Sequence, residues 1–172
     1  MTEQTEAAIG PLDIRRVMAA LPHRYPMLLI DRVLHVAVDS ASAEVRINRD
    51  SPFFLAPFGV PAWIGVEYMG QTAALIAGYQ LQQGLTPPHL GFLLGTRQYT
   101  IHIPWFGDGD LLHVACKQAV VSGDQLAQFD CEISRNGELC ATAKLTVFRK
   151  PLHSSNEQAS DKQASSEQEK KL

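Results

Sequence analysis

Apolar side chains along this chain form one long block flanked by shorter stretches that alternate. The block, PAWIGVEYMGQTAALIAGYQ from Pro61 to Gln80, is apolar on nearly every side when wound as a helix, and such a helix belongs inside a protein. Pro61 suits the first turn, where its missing N–H is not needed, and Gly84 can close the helix with a left-handed residue. Gly65, Gly70 and Gly78 each cost about 1 kcal/mol of helix propensity relative to alanine, so close packing against the backbone is expected there. Upstream, Leu12, Val17, Met18 and Leu21 are spaced for a short amphipathic helix over Pro11 to Leu21, stopped by Pro22. From Met27 to Val38 the even positions Leu28, Ile30, Leu34, Val36 and Val38 are apolar, which predicts a half-buried strand. Asp39 and Ser40 turn the chain, and Ala43, Val45 and Ile47 alternate with polar residues in a second strand that completes a hairpin. Asp50 to Val60 carries prolines, phenylalanines and a glycine and predicts an irregular connection that still packs down.

Beyond the central block, Thr86, Pro87 and Pro88 break the chain before a long strand from Gly91 to Ile103, interrupted by Arg97 beside Tyr99. Pro104 to Asp110 reads as a turn and Leu111 to Val121 as a strand, reversed at Ser122, Gly123 and Asp124. Ala127, Phe129, Cys131 and Ile133 point one way. Asn136–Gly137 then supplies the left-handed pair of a two-residue hairpin turn, and Leu139, Ala141, Ala143, Leu145 and Val147 continue the inward face. Several antiparallel strands and one segregated helix predict an α+β fold with its sheet curled around that helix. Residues 11–150 read as a single domain, 1–10 as an N-terminal tail, and the Ser/Gln/Glu/Lys-rich stretch 151–172 as a disordered tail.

Composition narrows the partners. The 172 residues are 45% hydrophobic with a net charge of −3, which gives no electrostatic footprint for nucleic acid or an anionic membrane. No apolar run is long enough to span a bilayer and the N-terminus lacks the features of a signal peptide, so a cytoplasmic protein is expected. Cys116, Cys131 and Cys140 lack CxxC spacing and predict buried free thiols. His102 and His113 have no second ligand at metal-like spacing, so no metal site is expected, and neither a GxSxG elbow nor a glycine-rich phosphate loop occurs.

The chemistry concentrates on the central helix. Glu67 and Gln71 share one helical face, and Gly70, Ala74 and Gly78 extend it as a shallow strip on which a chain-like ligand could lie. A carboxyl group amid apolar side chains is suited to proton donation, because desolvation disfavours its charged form. Alternatively, Glu67 is an early-helix acid favoured by the helix dipole.

The segment LPHRYPMLLIDRV, Leu21 to Val33, resembles the opening motif of the 3-hydroxyacyl-acyl carrier protein dehydratases, and PAWIGVEYMGQTAA resembles their active-site helix. The resemblance covers about residues 11 to 149, and GVEYMGQTAA, GFLLGTRQY and LAPF look most like a divergent branch found with bacterial polyene-type pigment pathways. It implies a hotdog fold, no cofactor, a homodimer or a heterodimer with another hotdog dehydratase, and acyl chains carried on the phosphopantetheine of acyl carrier protein. It places Glu67 as the acid and Gln71 as its neighbouring glutamine. One departure stands out: Pro57 occupies the position where the resembled dehydratases carry a base histidine. His23 is the first substitute, its alternative being a structural histidine in a Pro-flanked turn. Enolate-stabilising N–H groups are expected around Gly59 and Val60 or at the helix start, and Arg97 is either a salt-bridge partner or a contact for the phosphopantetheine phosphate. A non-catalytic subunit that partners an active dehydratase, and an acyl thioesterase, are the other functions such a chain could serve.

Overall fold

The computed structural model describes residues 18, 19, 21–123 and 125–152. Its elements are β1 (Arg32–Val36), β2 (Ser40–Arg46), β3 (Val60–Pro61), a 3-10 turn (Ala62–Ile64), α1 (Gly65–Gln82), β4 (His89–Ile101), β5 (Trp105–Phe106), β6 (Leu111–Ser122), β7 (Leu126–Arg135) and β8 (Glu138–Pro151). Six strands form one antiparallel sheet in the order β1-β2-β6-β7-β8-β4, and β3 pairs with β5 beside it. The sheet curls around α1, which touches every strand of it. This is the α+β hotdog arrangement expected from the chain. No helix among the described residues is long and apolar enough to cross a membrane.

The helix is interior for the reason its sequence implies. Met69, Leu75 and Ile76 are fully buried and join one core with Val45, Leu112, Val114, Ile133 and Leu145 from the sheet. Close approach is real at Gly65, where an added Cβ would stand 2.6 Å from Tyr99 Oη and 2.7 Å from Ile133 Cδ1. Gly84 ends the helix at φ +67°, its N–H donating to Leu81 O while Leu85 N–H donates to Gln80 O. All three cysteines are buried free thiols, and Cys116 Sγ lies 3.3 Å from Met69 O.

Three expectations need correction. The first strand is Arg32–Val36 rather than Met27–Val38, and a bulge between Val33 and His35 reverses its parity, burying Val33 and exposing Leu34. Another irregularity, between Ile133 and Ser134, leaves Leu139 exposed and buries Cys140 instead. Arg32 meets Glu44 across the hairpin at 2.6 Å, and Asp31 Oδ2 accepts the Arg46 N–H. The folded chain also continues past residue 150, because β8 runs to Pro151 and Leu152 N–H donates to Pro88 O. The Asn136–Gly137 turn forms as predicted, with φ of 51° and 80°. Met18 and Ala19 are helical, but the rest of the expected first helix up to residue 17, the tail 1–10, and residues 153–172 lie outside the described residues.

Candidate active site

The loop from Leu21 to Leu29 is tied down at both ends. Leu21 is buried, Arg24 Nη1 donates to the carbonyls of Leu21 and His23, and the N–H groups of Met27 and Leu28 donate back to Arg24 O. Gln71, fully buried on α1, clasps the far side: its Oε1 accepts the Leu29 N–H at 2.9 Å and its Nε2 donates to Met27 O at 2.7 Å. The same Nε2 donates to Glu67 Oε1 at 2.9 Å. One glutamine therefore fixes both the loop that carries His23 and the carboxylate in the first turn of α1.

That geometry brings His23 Nε2 within 3.3 Å of Glu67 Oε1. The two side chains are 30% and 33% exposed, so water screens the pair and the contact matters more for proton exchange than for stability. Glu67 Oε2 makes no hydrogen bond among the described residues. His23 Nδ1 is buried and has no partner among the described residues.

From this pair an apolar groove of about 210 Å³ runs along α1. Gly70, Ala73, Ala74, Ala77, Gly78 and Leu81 form its helix wall, and Leu90, Gly91, Leu93, Phe129, Val147 and Arg149 line the sheet side. Gly70 keeps the bore open, since a Cβ there would meet only Leu93 Cδ2, at 3.9 Å. A larger depression, about 620 Å³, lies on the outer sheet face among His35, His113, Lys117, Asp130, Glu132 and Lys144. Neither Glu67 nor His23 borders it, so the smaller groove is the chemically equipped one.

The structure thus brings His23, Glu67, Gln71, Gly70 and Ala74 together. The other expected residues lie elsewhere. Gly59 N–H donates to Leu55 O, its φ is +118°, and an added Cβ would collide with Phe106 O at 2.1 Å. Val60 is fully buried in the β3–β5 ladder opposite Phe106. At the helix start, Ala62 N–H donates to Pro104 O and Gly65 N–H to Ala62 O. The Gly59 amide is therefore committed to a tight turn that also holds Pro57, not presented to a ligand. Arg97 is exposed at a bulge of β4 between Thr96 and Gln98, makes no ion pair among the described residues, and does not line the groove. Sequence reasoning missed Arg149, His89 and Phe129. The available signal for Arg149 was its odd number, since it continues the inward series Ala141, Ala143, Leu145 and Val147 as a charged residue on a dry face.

The ApeP-like family model, ApeP dehydratase, matches residues 15–159. The chain is 30% identical over 156 residues to the 3-hydroxyacyl-[acyl-carrier-protein] dehydratase FabZ of Agrobacterium fabrum, covering 88% of this chain and 98% of that protein. With the FabZ of Rhizorhabdus wittichii it is 46% identical over 84 residues, which span 45% of this chain and about half (52%) of the relative. Among solved structures, the dehydratase heterocomplex ApeI:P from Xenorhabdus doucetiae matches with a TM-score of 0.70 and 26% identity, over 85% of this chain and 95% of that one. The family match takes in the His23 loop, the Glu67 helix and the whole of β8, hence every wall of the groove, and the chain belongs to the ApeP-like dehydratase family.

Proposed function

We propose that this protein eliminates water from 3-hydroxyacyl thioesters presented on acyl carrier protein, giving trans-2-enoyl products in fatty-acid or polyene-type assembly in the cytoplasm. The observation that carries the reading is the 3.3 Å approach of His23 Nε2 to Glu67 Oε1 at one end of an apolar groove. His23 Nε2 takes the proton from the α-carbon while the Glu67 carboxyl group gives a proton to the β-hydroxyl. The C–O bond breaks, the double bond forms between the α- and β-carbons, and water leaves. Imidazolium and carboxylate then stand in contact, and one proton passing from Nε2 to the carboxylate restores both. Gln71 holds Oε1, leaving Oε2 to reach the hydroxyl. Gly70 and Ala74 give the acyl chain its bed, and Arg97, exposed on β4, is free to meet the phosphopantetheine phosphate.

The test is direct: purified chain with a 3-hydroxyacyl carrier substrate yields enoyl product, and Glu67→Gln lowers turnover by about 10²–10⁴ while leaving the melting temperature near that of the native chain. Equal rates in the two proteins would sink the assignment, and free acid in place of enoyl product would make the protein a thioesterase.

A second reading is favoured by Pro57 in the histidine position, by His23 Nδ1, which has no partner among the described residues to fix the ring as a base from behind, and by the heterocomplex neighbour. In it the chain is one half of a mixed hotdog dimer and lends Glu67 to a partner's base. Activity seen only with a second hotdog subunit, and retained in His23→Ala, selects this version.

A further inference from the structure

The groove that begins at Glu67 does not end in hydrocarbon. Arg149, 8% exposed, lines its far part together with His89. Its Nη2 donates to Gln118 Oε1 at 3.1 Å, and that oxygen also accepts Gln80 Nε2 at 3.2 Å. Gln80 lies about 20 Å along α1 from Glu67 at about 1.5 Å of rise per residue, so the guanidinium stands near the opposite end of the helix from the acid.

We propose that Arg149 is a specificity-determining residue that receives an oxygen at the far end of the acyl chain, so that the preferred substrate carries a hydroxyl or carboxylate there instead of a methyl group. This rests on reading the groove as the acyl site. A guanidinium has five N–H donors, and Arg149 makes one side-chain hydrogen bond and no salt bridge to a carboxylate among the described residues. Nine-tenths burial without a counter-charge is costly for an arginine, and burial lowers its pKa from the ordinary value. An apolar chain lying in the groove would remove the remaining water and raise that cost further. An acceptor oxygen at the chain's end offsets it with a charge-assisted hydrogen bond. His89 is held at Nδ1 by Pro87 O, 2.9 Å away, which leaves Nε2 free beside the same end.

The test compares three 3-hydroxyacyl-pantetheine thioesters of equal backbone length, ending in methyl, hydroxyl or carboxylate, on the full chain. Calorimetry reads binding and product formation reads dehydration. The expected result is at least about tenfold tighter binding of one or both oxygen-ended chains over the methyl-ended one. Arg149→Met erases that ratio and Arg149→Lys keeps part of it. The hydroxyl and carboxylate arms decide which oxygen is taken. Equal or better binding of the methyl-ended chain by the native protein overturns the inference without any variant, as does a ratio unchanged in both folded variants. Selective binding without dehydration leaves Arg149's role standing and sinks the catalytic reading. Dehydration with no preference does the reverse, and no binding of any thioester overturns both.

Discussion

Gln71 is the residue on which two separate pieces of the site depend. Replacing it with alanine leaves the buried Leu29 N–H and the Met27 carbonyl without their partner and frees Glu67 Oε1. An unsatisfied buried donor costs about 1–3 kcal/mol. Gln71→Ala should therefore lower the urea midpoint by a corresponding amount and let the His23 loop detach, measurable as faster amide exchange at Leu28 and Leu29. Glu67 and Gln71 were legible in the sequence because a spacing of four on a helix is a statement about one face. Arg149 was legible only as a charge in phase with a dry face; its place opposite the helix was not, and the basic run Arg149–Lys150 looks in isolation like the start of a solvated tail.

The strands and the central helix followed from periodicity, whereas their interruptions did not. A bulge puts the side chains before it out of phase with those after it, so a period of two that fits one part of a strand misplaces the other. That is why Val33 and Cys140 are buried where Leu34 and Leu139 were expected. Between elements, Tyr99 ties β4 to the start of α1 by donating from its hydroxyl to Ala62 O. Burial pushes its pKa from 10.0 up to about 12, and Tyr68 is raised further by burial and the nearby Asp31 charge. A raised folded pKa means stability that is complete below the ordinary tyrosine pKa and lost as pH climbs through the folded value. Unfolding free energy should thus fall between pH 10 and about 12, and Tyr99→Phe should flatten part of that decline in denaturant titrations read at pH 9 and 11.5.

For the molecule as a whole, the two free edges of the sheet are unequal. At one edge β1 is five residues long and bulged, with Arg32 paired to Glu44. At the other, β4 runs thirteen residues and leaves Leu90, Phe92, Leu93, Leu94 and Ile101 exposed. Long apolar edges are seldom left open to water. This edge suits the mixed hotdog dimer of the second reading or the homodimer that the resemblance implies, and the double variant Phe92→Lys, Leu94→Lys should shift sedimentation to the monomer with the circular dichroism spectrum retained. An unchanged sedimentation profile would move the interface elsewhere. Assembly was legible only through the family resemblance, because a long strand reads the same in sequence whether its outer edge is covered or bare.

Two glycines of α1 have opposite evolutionary freedom. Gly65 is wedged against Tyr99 and Ile133, so mutation there strikes the scaffold itself; Gly70 looks into open bore with Leu93 as its nearest neighbour at 3.9 Å. Descendants of this chain could retune the length or girth of their cargo one methyl at a time at position 70, with the architecture behind it buffered from the change.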